Sequence, residues 1–157
     1  LNEESLSNLD ANQVCELITQ KVNLEPNFFL EPISWFDQEF YEFTGIDVYS
    51  YQFDFKLKRQ IISKNNIDIL VLRLEDFKTN QELVKNNLAE FIGEPIDKLV
   101  NSNQTENKAS KNLYKKVLEL ITFPDDFIEQ MYNSKYCKHF YEKAEIEKLK
   151  LKWRSQD

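Results

Sequence analysis

The pattern of apolar and polar positions divides the chain into segments of helical and of extended period. Val14, Leu17, Ile18 and Val22 recur at helical spacing behind Asp10, a good N-cap, and predict a first helix ending near Val22. Pro26 and Pro32 bracket what reads as a short extended connector. Trp35, Phe36, Phe40 and Phe43 give the apolar face of a short second helix, with Ser34 and Asp37 as its capping box and Gly45 as its C-terminal cap. Residues 46–53 alternate in part and are rich in β-formers. Phe55, Leu57, Ile61 and Ile62 follow among Lys56, Lys58 and Arg59, so two half-exposed strands are expected ahead of an Asn65-Asn66 turn. Ile67 to Leu74 is apolar with little relief, the pattern of a strand covered on both faces.

Further on, Thr79 and Glu82 read as the capping box of a helix carrying Leu83, Val84, Leu88, Phe91 and Ile92, closed by Gly93. The polar stretch from Glu94 to Ser110 reads as a loop, with a short turn around Ile96 to Val100. Leu113, Tyr114, Val117, Leu118 and Ile121 restore helical spacing, which stops before Pro124. It restarts with Pro124 at the first position and Phe127, Ile128, Met131 and Tyr132 facing inward. Ile146, Leu149 and Trp153 predict a final helix in a charged surround. No repeat or long linker interrupts the 157 residues, so a single α/β domain over 1–157 is expected.

Composition narrows the chemistry. Twelve Phe, seven Tyr and two Trp need a dry interior, which argues for a folded chain. Twenty Lys and Arg against 27 Asp and Glu give a net charge of −7, which removes any wholesale attraction to nucleic acid or an anionic membrane surface. No apolar run reaches the ~20 residues of a membrane span, and the first residues lack a signal peptide's basic start and apolar centre. Cys15 and Cys137 stand far apart in no metal-ligand spacing, which suits free thiols in a reducing, cytoplasmic setting, with one disulfide between them as the alternative, and leaves no metal site to expect. With glycine only at 45 and 93, no glycine-rich phosphate loop of either common type exists in these residues.

Few constellations remain. His139 is the only histidine, and Cys137 two residues away turns aside on a helix, so a packed histidine is expected rather than a catalytic one. Glu75 and Asp76 follow the apolar strand where α/β enzymes place working carboxylates, although bracketing the next turn is the commoner role. Lys56, Lys58, Arg59 and Lys64 are candidates to meet a phosphate or sulfate, or to guard an exposed strand. Trp35, Tyr49 and Tyr51 are candidates to stack on sugar rings, against the plainer alternative of core packing.

The stretch from Ile67 to Gly93, a strand ending in a carboxylate pair, then a polar turn and a helix closing on Phe-Ile-Gly, resembles a segment of the sulfotransferases that use 3′-phosphoadenosine 5′-phosphosulfate (PAPS). Residues 35–49, the spacing of Asn103, Lys108 and Tyr114, and residues 131–153 are similar to a narrower bacterial group, the sulfotransferase-like proteins of capsular polysaccharide synthesis. The resemblance implies the C-terminal part of a sulfotransferase, P-loop kinase-like fold, with buried strand covered by helices and a helical tail. It implies sulfuryl transfer from PAPS to a hydroxyl, of a saccharide acceptor. Asn103, Lys108 and Tyr114 match a loop that faces the nucleotide, and Trp35, Tyr49, Tyr51 and Arg59 are the acceptor candidates. The family's strand, loop and helix around the phosphosulfate, and its Arg and Ser for the 3′-phosphate, have no counterpart here, and Glu142-Lys143 replaces a more familiar capping Ser. No catalytic residue carries over. The chain alone is therefore expected to be inactive, to bind PAPS weakly or not at all, and to self-associate or dock onto a missing N-terminal half. The alternative is a non-catalytic remnant or interaction module.

Overall fold

The computed structural model describes residues 9–100 and 111–154. It is mostly helical, with one antiparallel hairpin among the described residues. Contacts divide the chain into two compact units. The first gathers the described parts of Leu1–Pro32, Asn101–Asn133 and Ala144–Asp157, and the second comprises Ile33–Val100 and Ser134–Lys143.

In the first unit, helix α1 (Ala11–Leu24) begins as its sequence predicts: Asp10 accepts from the Gln13 N–H at 2.9 Å while the Gln13 side chain accepts from the Asp10 N–H at 2.9 Å. Pro26 and Pro32 do not bracket an extended connector, because α2 (Pro26–Ser34) is helical and contains Pro32. At the first helical position proline forfeits no bond, whereas Pro32, seventh of the nine residues, gives up the bond that an N–H there would make to the Phe28 carbonyl, and the helix ends two residues later. Helices α6 (Lys111–Leu120), α7 (Asp125–Tyr132) and α9 (Lys143–Trp153) supply the rest, in agreement with the three later helical patterns except that Pro124 stands at the N-cap of α7, one residue before its expected place inside the helix. Ala11, Val117 and Ile121 form the buried cluster between α1 and α6. Glu129 ties α7 to α9 through Lys150 at 2.7 Å and Arg154 at 2.5 Å.

The second unit departs further from its sequence pattern. Ser34 ends α2 instead of capping a new helix. A π-turn (Phe36–Phe40) runs directly into α3 (Tyr41–Thr44), which Gly45 closes in the left-handed region at φ 66°. Residues 46–53 form no strand. Asp47 accepts from the Tyr49 N–H at 3.0 Å and from the Ser50 hydroxyl at 2.8 Å, so the backbone folds into a short 3-10 turn (Val48–Ser50). The alternation is still legible in burial, since Ile46, Val48 and Phe53 enter the core.

Asp54 makes a second such turn, accepting from the Lys56 and Leu57 N–H groups, which delays β1 to Arg59–Lys64. Asn65 and Asn66 turn the hairpin, both at positive φ, and β2 (Ile67–Leu72) returns with Lys64 opposite Ile67. The expectation of a central strand covered on both faces is corrected. β2 pairs with β1 alone among the described residues, Ile67 is 43% exposed, and Ile69 to Leu72 are half-buried. The unbroken apolar run reflects one face in the core and one left partly open.

Thr79 caps nothing. It ends α4 (Asp76–Thr79), its hydroxyl donating to the Glu75 carbonyl, and α5 (Gln81–Ile92) starts from Asn80 without a side-chain cap. Gly93 closes α5 at φ 81°, and Pro95 to Val100 have no regular structure, so no turn forms at Ile96–Val100. Helix α8 (Lys135–Phe140), capped by Ser134, contributes Phe140 to the core of Ile46, Val48, Phe53 and Ile62.

Candidate functional site

The second unit gathers an aromatic shelf. The π-turn carries the Phe40 N–H back to the Trp35 carbonyl at 3.1 Å, and this wider turn brings Trp35, Phe36 and Phe40 against one another with centroids 5.2–5.5 Å apart. Phe36 joins them to Tyr49 at 6.2 Å, to Tyr136 at 6.3 Å and to Phe140 at 5.6 Å. Tyr49 and Tyr51 sit half-buried on the 3-10 turn, and Trp35 keeps 46% of its surface in solvent. Through Phe36, Trp35 and Tyr49 therefore belong to one continuous aromatic cluster, with Trp35 at its open margin, and Tyr51 packs against the buried core beside it.

Polar groups meet at the same turn. Gln60, 1% exposed on β1, donates to the Val48 and Tyr51 carbonyls at 2.6 Å each, while its oxygen lies 3.3 Å from Nε2 of His139. His139 packs edge-on against Tyr49 at 5.2 Å. Lys135 places Nζ 4.0 Å from the centre of the Tyr49 ring and pairs with Asp37 at 2.6 Å. Burial, opposed by Asp47 and assisted by Lys135, holds the His139 pKa below its ordinary value, so the ring is neutral near pH 7. Burial first, and then the nearby Asp37 and other acidic groups, raises Tyr49 well above the phenol range. Its oxygen is buried without a hydrogen-bond partner among the described residues. Asp47 is lowered by the Ser50 hydrogen bond, against burial, with help from the Tyr49 N–H, Lys135 and His139.

Arg59 does not join the tyrosines. Strand alternation turns it away from Gln60, and it grips α5 instead, with Nη2 donating to Glu90 at 3.0 Å and Nη1 to Asn87 at 3.3 Å. Asn87 in turn donates to the Leu57 carbonyl at 2.8 Å. Of the other cations in that cluster, Lys64 donates to the Gly45 carbonyl at 3.2 Å. Asp76 is fully committed to Arg73 and Asn80, while Glu75 hydrogen-bonds Tyr141 and helps to keep its phenol protonated. Tyr114 lies half in solvent on α6 in the first unit, whereas Asn103 and Lys108 lie outside the described residues. No group of three or more His, Cys, Asp or Glu among the described residues is placed to hold a metal, and both cysteines are free.

Residues 7–142 match the family described as NKWYS, putative capsular polysaccharide synthesis protein. The chain belongs to that family. No curated protein and no solved structure gives a significant match. The span shared with this capsular polysaccharide synthesis family contains Trp35, Tyr49, Tyr51, Gln60, Arg73 and His139, and so the whole aromatic shelf and its polar supports.

Sequence reasoning missed Gln60, Arg73, Asn87 and Lys135. Two of them left a signal. Asn87 falls on the apolar face of α5 between Val84 and Leu88, and Arg73 stands three residues before Asp76 inside an otherwise apolar run. A polar residue on a buried face needs a partner, which is what both have.

Proposed function

We propose that this chain supplies the saccharide-acceptor side of a sulfuryl-transfer reaction in capsular polysaccharide synthesis, the sulfuryl group passing from PAPS to a sugar hydroxyl. The observation that carries the reading is membership in a capsular polysaccharide synthesis family over 7–142, with the aromatic shelf inside that span. Exposed Trp35, with Tyr49 and Tyr51 behind it, offers the flat apolar faces that sugar rings stack upon, and Asp37, Asp47 and Lys135 beside them offer hydroxyl partners.

The donor is a different matter. Its phosphates need converging cations, and three of the described ones in the second unit are already paired: Arg59 with Glu90, Arg73 with Asp76 and Lys135 with Asp37. These paired side chains do not fit the phosphates of PAPS. Donor contacts are assigned, on sequence resemblance alone, to Asn103, Lys108 and Tyr114, and Arg59 reaches an acceptor only by leaving Glu90. Calorimetry on the 157-residue chain is expected to give weak or no binding of 3′,5′-adenosine bisphosphate and clear binding of capsular oligosaccharide. Trp35→Ala weakens the latter by about fivefold, the loss of one stacked ring. Micromolar nucleotide binding, or oligosaccharide binding indifferent to Trp35, contradicts the reading.

One observation favours a second reading, an interaction module. The hairpin and its exit leave Ile61, Ile67 and Leu74 at 42%, 43% and 84% exposure beside open strand edges. Under that reading sedimentation shows association rising with concentration, whereas a monomer at every concentration counts against it.

A further inference from the structure

Gln60 occupies a position that β1 reserves for an apolar side chain, between the core and the aromatic turn, and every polar atom of its amide is used. The two carbonyls at 2.6 Å come from Val48 and Tyr51, the two ends of the 3-10 turn. Both accept, so the amide nitrogen must face them and the amide oxygen must face His139. That oxygen only accepts, which places the proton of neutral His139 on Nε2. No strand ladder holds residues 46–53. The turn's own bonds, from the Ser50 N–H to Asp47 and from the Tyr51 N–H to Val48, fix its shape, whereas Gln60 fixes its position on the hairpin. His139 and Lys135 then grip the Tyr49 ring from its edge and its face.

We propose that Gln60, oriented by His139, is a positioning residue for saccharide recognition: it latches the Val48–Tyr51 turn so that Tyr49 and Tyr51 present a fixed aromatic surface behind Trp35. The proposal deepens the acceptor reading above and rests on it. A ring that must meet a sugar face tolerates little displacement, and while the Asp54–Arg59 bridge and the packing of Val48 and Phe53 on Ile62 hold the segment to the hairpin, Gln60 supplies the hydrogen bonds that fix both ends of the turn.

Gln60→Glu tests it, because shape is kept while both N–H donors are lost and a carboxylate is set against two carbonyls. Affinity for short oligosaccharides prepared by partial hydrolysis of capsular polysaccharide is expected to fall about tenfold. Hydrogen exchange at Ser50 and Tyr51 should accelerate, with β1, β2 and α5 unchanged. The introduced carboxylate faces His139 beside Asp47 and opposite Lys135, so the 15N signals of His139 should show its titration moving to higher pH. Gln60→Met, which removes the acceptor without adding charge, should abolish the Nε2–H preference in the same signals.

Wild-type binding with an unchanged Gln60→Glu affinity overturns the proposal, as does exchange that accelerates evenly over the hairpin and α5, which marks Gln60 as core packing only. A wild-type chain that binds no oligosaccharide, while Ser50 and Tyr51 respond as stated, overturns the acceptor reading and leaves the latch itself supported.

Discussion

Asp76→Asn is expected to destabilise the protein by about 3–5 kcal/mol, the cost of leaving a buried charge without its counterpart. Asp76 is 1% exposed and accepts from Nε of Arg73 at 2.8 Å, from Nη2 at 3.2 Å and from Asn80 at 2.8 Å. Arg73, itself 6% exposed, lies over the rings of Phe53 and Tyr141 and donates to the Phe140 carbonyl. An asparagine fills the space but removes the buried negative charge held against the guanidinium, leaving the half-exposed Glu75 at 3.9 Å as a weaker substitute.

The pair also fixes the acid response. Burial pushes the Asp76 pKa up, but the hydrogen bonds from Arg73 and Asn80 and the charge of Arg73 outweigh it, and the net shift is downward. A carboxylate whose folded pKa lies below its unfolded value of about 3.9 contributes its stability above that value and loses it as pH falls through the folded pKa. Urea midpoints should therefore separate wild type and variant widely at neutral pH and converge in acid. Equal midpoints at pH 7 would mean that the pair contributes nothing.

Phe140→Ala should cost a comparable amount, about 3–5 kcal/mol, for removing a buried ring and leaving a cavity. The side chain is 2% exposed and meets Phe36, Tyr49, Phe53, Tyr136 and His139 at centroid distances of 4.7–6.2 Å. Only Phe36, among the described rings, meets as many, and it is the less buried of the two, so loss of Phe140 should also flatten the aromatic circular dichroism. Phe43, 92% exposed, is the control, and Phe43→Ala should leave the urea midpoint unchanged within experimental scatter.

Helices with strong local signals were legible in the sequence: the capping box at Asp10, Gly93 after the Phe-Ile pair, and the break before Pro124 all act over one turn. The errors share a cause. Asp47 and Asp54 each divert backbone N–H groups into side-chain turns, which converts a β-forming segment into irregular structure without changing which residues are buried. Thr79 and Ser34 looked like caps because capping residues also suit helix ends: Ser34 ends α2, and Thr79 ends α4 with its hydroxyl bonded to the preceding turn. β2 looked doubly covered because an apolar run reports affinity for a dry face and does not count the strands beside it.

At the candidate site, Trp35, Tyr49 and Tyr51 were picked out by residue type, as stacking candidates or core, and the structure places Tyr49 and Tyr51 against the core with Trp35 more exposed. Gln60 and Lys135 were not, since β1 and α8 reach the turn only through the tertiary fold. The packing among aromatics expected for His139 agrees with its surroundings.

Saccharide recognition by the aromatic shelf is tested most directly by following the 15N–1H spectrum of the chain as short capsular oligosaccharides are added. The account predicts saturable shifts at the Trp35 indole N–H and at the Tyr49 and Tyr51 amides, with the amides of α1 and α6 unmoved. An unchanged spectrum, or shifts confined to α1 and α6, would contradict it.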